Sequence, residues 1–181
     1  VYDISSFGKI AVSGSGALST LQYLSCADVE VETGKVVYTQ WLNERGGIEA
    51  DLTIARVAEE TFWVITSIGS FNRDWWHLKK HLHADKQISD ISMSFACLSV
   101  QGPNARLVLQ EISDTDLSPS EFVFGTGRKV QVAGASVWMQ RMSYVGELGW
   151  ELFIPADDAV GVLLALQKSG AAYNLCNVGL H

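Results

Sequence analysis

Two short segments place carboxylates where packing does not ask for them. In Ile48-Glu49-Ala50-Asp51-Leu52-Thr53-Ile54, the side chains of an extended strand alternate between sheet faces. Ile48, Leu52 and Ile54 then share one face, and Glu49, Asp51 and Thr53 the other. Asp51 is projected from a rigid strand just after Gly46-Gly47, although a plain polar outer face would give the same pattern. In Tyr144-Val145-Gly146-Glu147-Leu148-Gly149-Trp150-Glu151, two glycines bracket Glu147. They let the backbone approach a ligand while the carboxylate points into a turn or cleft. On pattern alone, an exposed hairpin loop is the simpler account.

Other chemistry-bearing patterns fall short. Gly14-Ser15-Gly16 follows a strand and opens a helix, as a dinucleotide fingerprint does. The third fingerprint position is Ser19, and the next strand enters a hairpin, so a tight strand-to-helix turn is the better reading. His77 and His81 lie four apart on an expected helix, the spacing of a metal pair. The residues between them, Leu78, Lys79 and Lys80, lack the glutamate of a zinc hydrolase, and the lysines oppose a dication; a solvated helix face is expected and no metal site. No serine sits in a nucleophile elbow. Cys26, Cys97 and Cys176 form no CxxC pair. Cys26 and Cys97 read as small core residues, and a reduced compartment, cytoplasm or organelle matrix, is expected.

The elements that must position the carboxylates follow from periodicity. Strands are expected at Lys9 to Ser13, Val36 to Leu42, Ile48 to Val57, Phe62 to Ser67, Ala96 to Gln101, Lys129 to Val132, Ser136 to Met142 and Trp150 to Ile154. Helices are expected from Ser15 to Ser25 behind a serine N-cap, Asn72 to Leu82, Pro103 at N1 to Glu111, and Asp157 to Lys168. Both glycines of the Asn43–Gly47 turn are expected at positive φ. Strands arriving in hairpins between helices favour an α+β fold with antiparallel sheets. The 181 residues are 48% apolar and only 18% charged, with a net charge of −7, whereas soluble domains average about 25% charged. This excludes disorder and gives no basic footprint for nucleic acid. No apolar run approaches the ~18 to 20 residues of a membrane span. The start at Val1 and the semi-apolar stretch from Asn174 onward set the expectation of a piece of something longer.

The segments VYDISSFGKIAVSGSGAL, GKVVYTQWLNERGGIEADLTIARV, LSVQGPNA, FVFGTGRKV and YVGELGWELFIP carry a resemblance over essentially the whole chain. It resembles the folate-binding aminomethyltransferase family, which includes the glycine cleavage T-protein and the C-terminal regions of dimethylglycine and sarcosine dehydrogenases. NERGGIEADLT, ITSIGS and YVGELGWEL look closer to the amine-dehydrogenase branch. The resemblance implies a T-protein-like fold of small mixed domains: residues 1–46 plus 135–181 as a discontinuous first folate-binding domain, 47–134 as a ferredoxin-like second one, and a C-terminal barrel missing. It implies a tetrahydrofolate site at the centre of a three-domain cloverleaf, with flavin (FAD) only in a neighbouring domain.

By the same resemblance, Asp51 polarises the folate amine that captures an amine-derived one-carbon unit, giving 5,10-methylenetetrahydrofolate. Glu147 accepts hydrogen bonds from the pterin, and Tyr38 and Tyr144 flank its rings. Three departures imply weak turnover by this chain alone: Ala50 stands where the T-protein usually has a first aspartate, the usual asparagine near Ser67 is replaced, and a family arginine would follow Leu180-His181. The alternatives are a non-catalytic folate-binding regulatory or assembly module, whose relatives carry a KGCYxGQE segment not visible here, and a purely structural interaction surface. With neighbouring domains implied, some of the apolar excess is expected at exposed Trp, Leu and Val positions.

Overall fold

A computed structural model describes residues 1–82 and 87–179; Leu180 and His181, the end of the expected first domain, lie outside the described residues. Two compact units divide the chain, Val1–Ser5 with Met93–His181 as one and Ser6–Ser92 as the other. The expected dividing points fall elsewhere. Residues 46/47 lie in a turn between two paired strands of the second unit, and 134/135 in such a turn of the first.

The Ser6–Ser92 unit contains β2 (Gly8–Ser13), α1 (Ala17–Leu24), β3 (Val36–Leu42), β4 (Ile48–Ala58), β5 (Thr61–Thr66), α2 (Phe71–His81) and β6 (Gln87–Asp90). Its antiparallel sheet has the order β3-β4-β5-β2-β6. One face carries Ile10, Val12, Trp41, Leu52, Ile54, Phe62 and Val64, and Leu21 and Leu24 of α1 and Leu78 of α2 share its core. That is the apolar half of each strand's period-two pattern meeting the apolar stripe of two helices. The β3–β4 turn is tied by Asn43, whose Oδ1 accepts from the backbone N–H groups of Arg45 and Gly47, both at 2.9 Å. Gly46 alone of the two glycines takes positive φ, at +76°. Gly47 is required for closeness instead, since a Cβ there would sit 2.9 Å from Asn43 Nδ2. The expected serine cap of α1 does not form: the N-cap is Gly16, and Ser19 Oγ donates back to the Gly16 carbonyl.

The other unit contains β1 (Tyr2–Asp3), β7 (Phe95–Gln101), α3 (Ala105–Gln110), β8 (Gly127–Val132), β9 (Ala135–Gln140), β10 (Gly149–Pro155) and α4 (Ala159–Gly170). Its antiparallel order is β1-β7-β10-β9-β8. Leu98, Val100, Met139, Trp150, Leu152 and Ile154 from the sheet cluster with Val108 and Leu109 of α3 and Val162 and Leu166 of α4. Pro103 stands one residue before the Asn104 N-cap rather than at N1. The last helix starts later than expected, behind a 3-10 turn over Ala156–Asp158. The outer side of α4 leaves Val160 and Leu164, four apart, 69% and 58% exposed, the kind of apolar exposure the composition led us to expect. No described helix is long and apolar enough to cross a membrane.

The central strand β10 runs close to β7. At Gly149, paired with Gln101, an added Cβ would meet the Val100 carbonyl oxygen at 3.0 Å and Gln101 Cγ at 2.8 Å. Gly149→Ala is expected to cost about 1–3 kcal/mol by overpacking against backbone, measured by urea unfolding. A loss below about 0.5 kcal/mol, the range of neutral surface changes, would contradict the packing described.

Candidate functional site

In the Ser6–Ser92 unit the β3–β4 register pairs Tyr38 with Thr53 and Gln40 with Asp51. Cross-strand partners share a face, so these four lie opposite Trp41, Ala50 and Leu52. Asp51 is exposed, and Gln40 Nε2 donates to its Oδ1 at 3.3 Å. The other end of that amide is fixed too, because the Cys26 thiol donates to Gln40 Oε1 at 3.3 Å. Cys26 is exposed, not a core residue, whereas Cys97 is buried. A backbone hydrogen bond at Gln40 and then the Thr39 hydroxyl hold the Cys26 thiol below the ordinary cysteine range. Tyr38 is 57% exposed.

Glu49 does not share the surroundings of Asp51, as strict alternation requires. The register shifts after Trp41, so that Leu42 opposes Ile48, and such an irregularity re-aims side chains. Glu49 instead accepts from Asn43 Nδ2 at 2.8 Å and lines a cavity with His77 and His81. Ile48 is exposed as well, at 68%.

In the other unit, Tyr144 is 96% exposed, and Glu147 is exposed in the same loop, which turns at Gly146 with φ +79°. Glu147 lines a hollow of about 280 Å³ with Gln101, Gly102, Asn104 and Tyr173. Asp51 and Tyr38 thus belong to one unit, and Tyr144 and Glu147 to the other. Sequence reasoning passed over Glu151. It sits on β10 opposite Gln140 of β9, whose Nε2 donates to Glu151 Oε2 at 2.8 Å. Gln140 is itself oriented by Trp138, whose indole N–H donates to its Oε1 at 3.3 Å. Burial pushes the Glu151 carboxyl above the ordinary glutamate range, with the Gln140 bond opposing. The signal was present in GWELFIP, where Glu151 alternates with buried Trp150 and Leu152 in the middle of a strand.

The remaining expectations resolve locally. Gly14-Ser15-Gly16 is a tight turn, with Gly14 at φ +111° and its carbonyl accepting from Ala17. Ser67 Oγ accepts from the Gly69 N–H. His77 and His81 are partly buried rather than on a solvated face, because α2 turns them toward Trp41 and Tyr23. Among the described residues no three His, Cys, Asp or Glu groups are placed to hold a metal.

The model of the GCVT N-terminal domain family matches residues 1–181. The chain is 37% identical to the mitochondrial sarcosine dehydrogenase of Homo sapiens, over 99% of this chain and 21% of that one. It is 31% identical to the aminomethyltransferase of Alkaliphilus metalliredigens, over 99% of this chain and 49% of that one. The crystal structure of the glycine cleavage system aminomethyltransferase T from Bartonella henselae superposes with a TM-score of 0.81 at 29% identity, covering 98% of this chain and 46% of that one. The chain therefore spans about a fifth to a half of the relatives it matches.

The raised Glu151 carboxyl fixes the sign of one pH effect. Its acid form is favoured in the folded state, so its contribution to stability is complete below the ordinary glutamate range and is lost as pH rises through the elevated value. Glu151→Gln keeps an acceptor for Gln140 and removes the titration. Urea midpoints of the native protein are expected to fall relative to the variant between acid and neutral pH. Parallel pH profiles would contradict the assignment.

Proposed function

The chain belongs to the GCVT N-terminal domain family, and within it we propose that it binds tetrahydrofolate and captures an amine-derived one-carbon unit. We place it in a dimethylglycine or sarcosine dehydrogenase-like protein whose flavin lies in another domain. Tetrahydrofolate supplies the nucleophilic nitrogens that take up the unit as 5,10-methylenetetrahydrofolate. This chain's residues bind, orient and polarise.

The observation that carries the reading is the Glu151–Gln140 pair. A 2-amino-pyrimidinone edge presents two adjacent N–H donors and is best held by a sheltered, fixed carboxylate. Glu151 fits that need: Gln140 fixes its Oε2, and its other oxygen accepts from no described residue. Glu147, exposed in the loop, is proposed to hold the ligand farther out. Asp51, steadied by Gln40, is proposed to orient the capturing amine and stabilise positive charge as the new bonds form. The exposed rings of Tyr38 and Tyr144 offer stacking surface, each contributing about 0.5–1.5 kcal/mol beyond area.

Ala50 and the replaced asparagine near Ser67, departures from the pattern of the resemblance, favour one second reading, a folate-binding module without transfer activity. Calorimetric titration with 5-formyltetrahydrofolate and a formaldehyde-capture assay in the longer protein carrying this chain separate the two. Asp51→Ala is expected to leave binding within about threefold and to lower capture about 10²-fold or more, the loss seen for one preorganised electrostatic group. Glu151→Ala is expected to weaken binding about tenfold or more, against a few-fold for Glu147→Ala. Binding without capture by the unaltered protein would establish the second reading, and the absence of both would defeat each.

A further inference from the structure

Where the C-terminus of α1, the β3–β4 turn and the C-terminal half of α2 come together, a cavity of about 560 Å³ opens within the Ser6–Ser92 unit. It lies away from the face that carries Asp51, and Asp51 is not among its lining residues. Its walls include Tyr23, Asn43, Arg45, Glu49, His77 and Lys80, with His81 and Glu44 beside them. Its volume is in the range of small-molecule sites, about 300–1,000 Å³.

Three features mark it as built to bind. His77 lines the cavity with its Nε2 fully buried and without a hydrogen-bond partner among the described residues, so the remainder of the ring is what meets a ligand. Its ring is fixed between Trp41 and His81, with centroids 6.0 and 4.9 Å away, and His81 is fixed in turn by a 2.8 Å hydrogen bond between its Nδ1 and the His77 carbonyl. Second, the register shift after Trp41 takes Glu49 out of the strand's alternation into the cavity wall, where Asn43 holds it.

Third, the charges in the wall do not neutralise one another. Glu44 and Glu49 line it together with Arg45 and Lys80, two acids and two bases, and none of the four is in an ion pair among the described residues. A balanced wall does not select a polyanion or a bare dication. It suits a ligand that carries both signs itself.

We propose that this cavity binds a small zwitterionic amino acid, its ammonium at Glu49 and its carboxylate toward Arg45 and Lys80, with the ring of His77 as part of the wall. Burial, followed by the neighbouring His81, holds His77 below the ordinary histidine range. A neutral ring there leaves the charge balance of the wall undisturbed. The site is independent of the folate reading.

Three probes of matched length test it: 5-aminopentanoate, pentanoate and pentylammonium, titrated into the chain while the imidazole resonances of His77 and His81 are followed by NMR. The zwitterion is expected to shift both saturably and to bind at least about tenfold more tightly than either singly charged probe. Glu49→Gln is expected to remove that advantage. Because Glu49 also holds the turn, the Arg45→Met/Lys80→Met double variant, altered only at exposed positions, provides a second test and is expected to do the same. Asp51→Ala is expected to leave binding unchanged. Equal binding of pentanoate or of pentylammonium, an unchanged preference in the double variant, or no shift with any probe would overturn the proposal.

Discussion

The pairing of β3 with β4 is the constraint on which most of the Ser6–Ser92 unit depends. Because Gln40 lies opposite Asp51 and Trp41 opposite Ala50, one register seats the indole in the core and brings the Gln40 amide to the catalytic candidate. A one-residue slip would reverse both faces at once. Burial of Trp41, Leu52 and Ile54 makes such a slip expensive, so hydrophobic packing behind the sheet holds the carboxylate in front of it. The same pairing breaks step at Leu42, and that irregularity gives Glu49 a different environment two residues from Asp51.

The second sheet uses the device differently. In β10, Trp150, Leu152 and Ile154 are buried in the core, and the intervening Glu151 is sheltered as well. A carboxylate in that position keeps its place only with a partner, and Gln140, oriented by Trp138, provides it. Two carboxylates in two units are thus each steadied by a glutamine from the adjacent strand, Asp51 by Gln40 and Glu151 by Gln140. A neutral amide orients each acid without bringing a countercharge to it.

Much of this was legible in the sequence because it rests on periodicity. β3 ran from Val36 to Leu42 as read, and the other long strands and helices fell within a few residues of their expected bounds. β1 and β6 were not legible: strands of two and four residues carry too little alternation to register and are specified by the edges they pair with. The caps misled because Ser15 and Pro103 matched positional preferences that the tight turns after Gly14 and Gly102 displaced. In the candidate site, the strand that carries Asp51 was readable from alternation, and the roles proposed for Asp51 and Tyr38 rest on the resemblance. Glu151 was marked only by its place between Trp150 and Leu152, and its shelter depends on what β9 brings alongside. Glu49 and the two histidines were misjudged for a related reason, since a register shift and a helix rotation are decided by packing.

If strand-held carboxylates of this chain form the polar contacts of a folate, a crystal structure of the chain saturated with 5-formyltetrahydrofolate is expected to show the 2-amino-pyrimidinone edge within hydrogen-bond distance, about 2.7–3.2 Å, of the Glu151 carboxylate. Asp51 is expected to face the nitrogens that take up the one-carbon unit. A pterin bound elsewhere, or held by Glu147 with Glu151 untouched, would contradict this assignment.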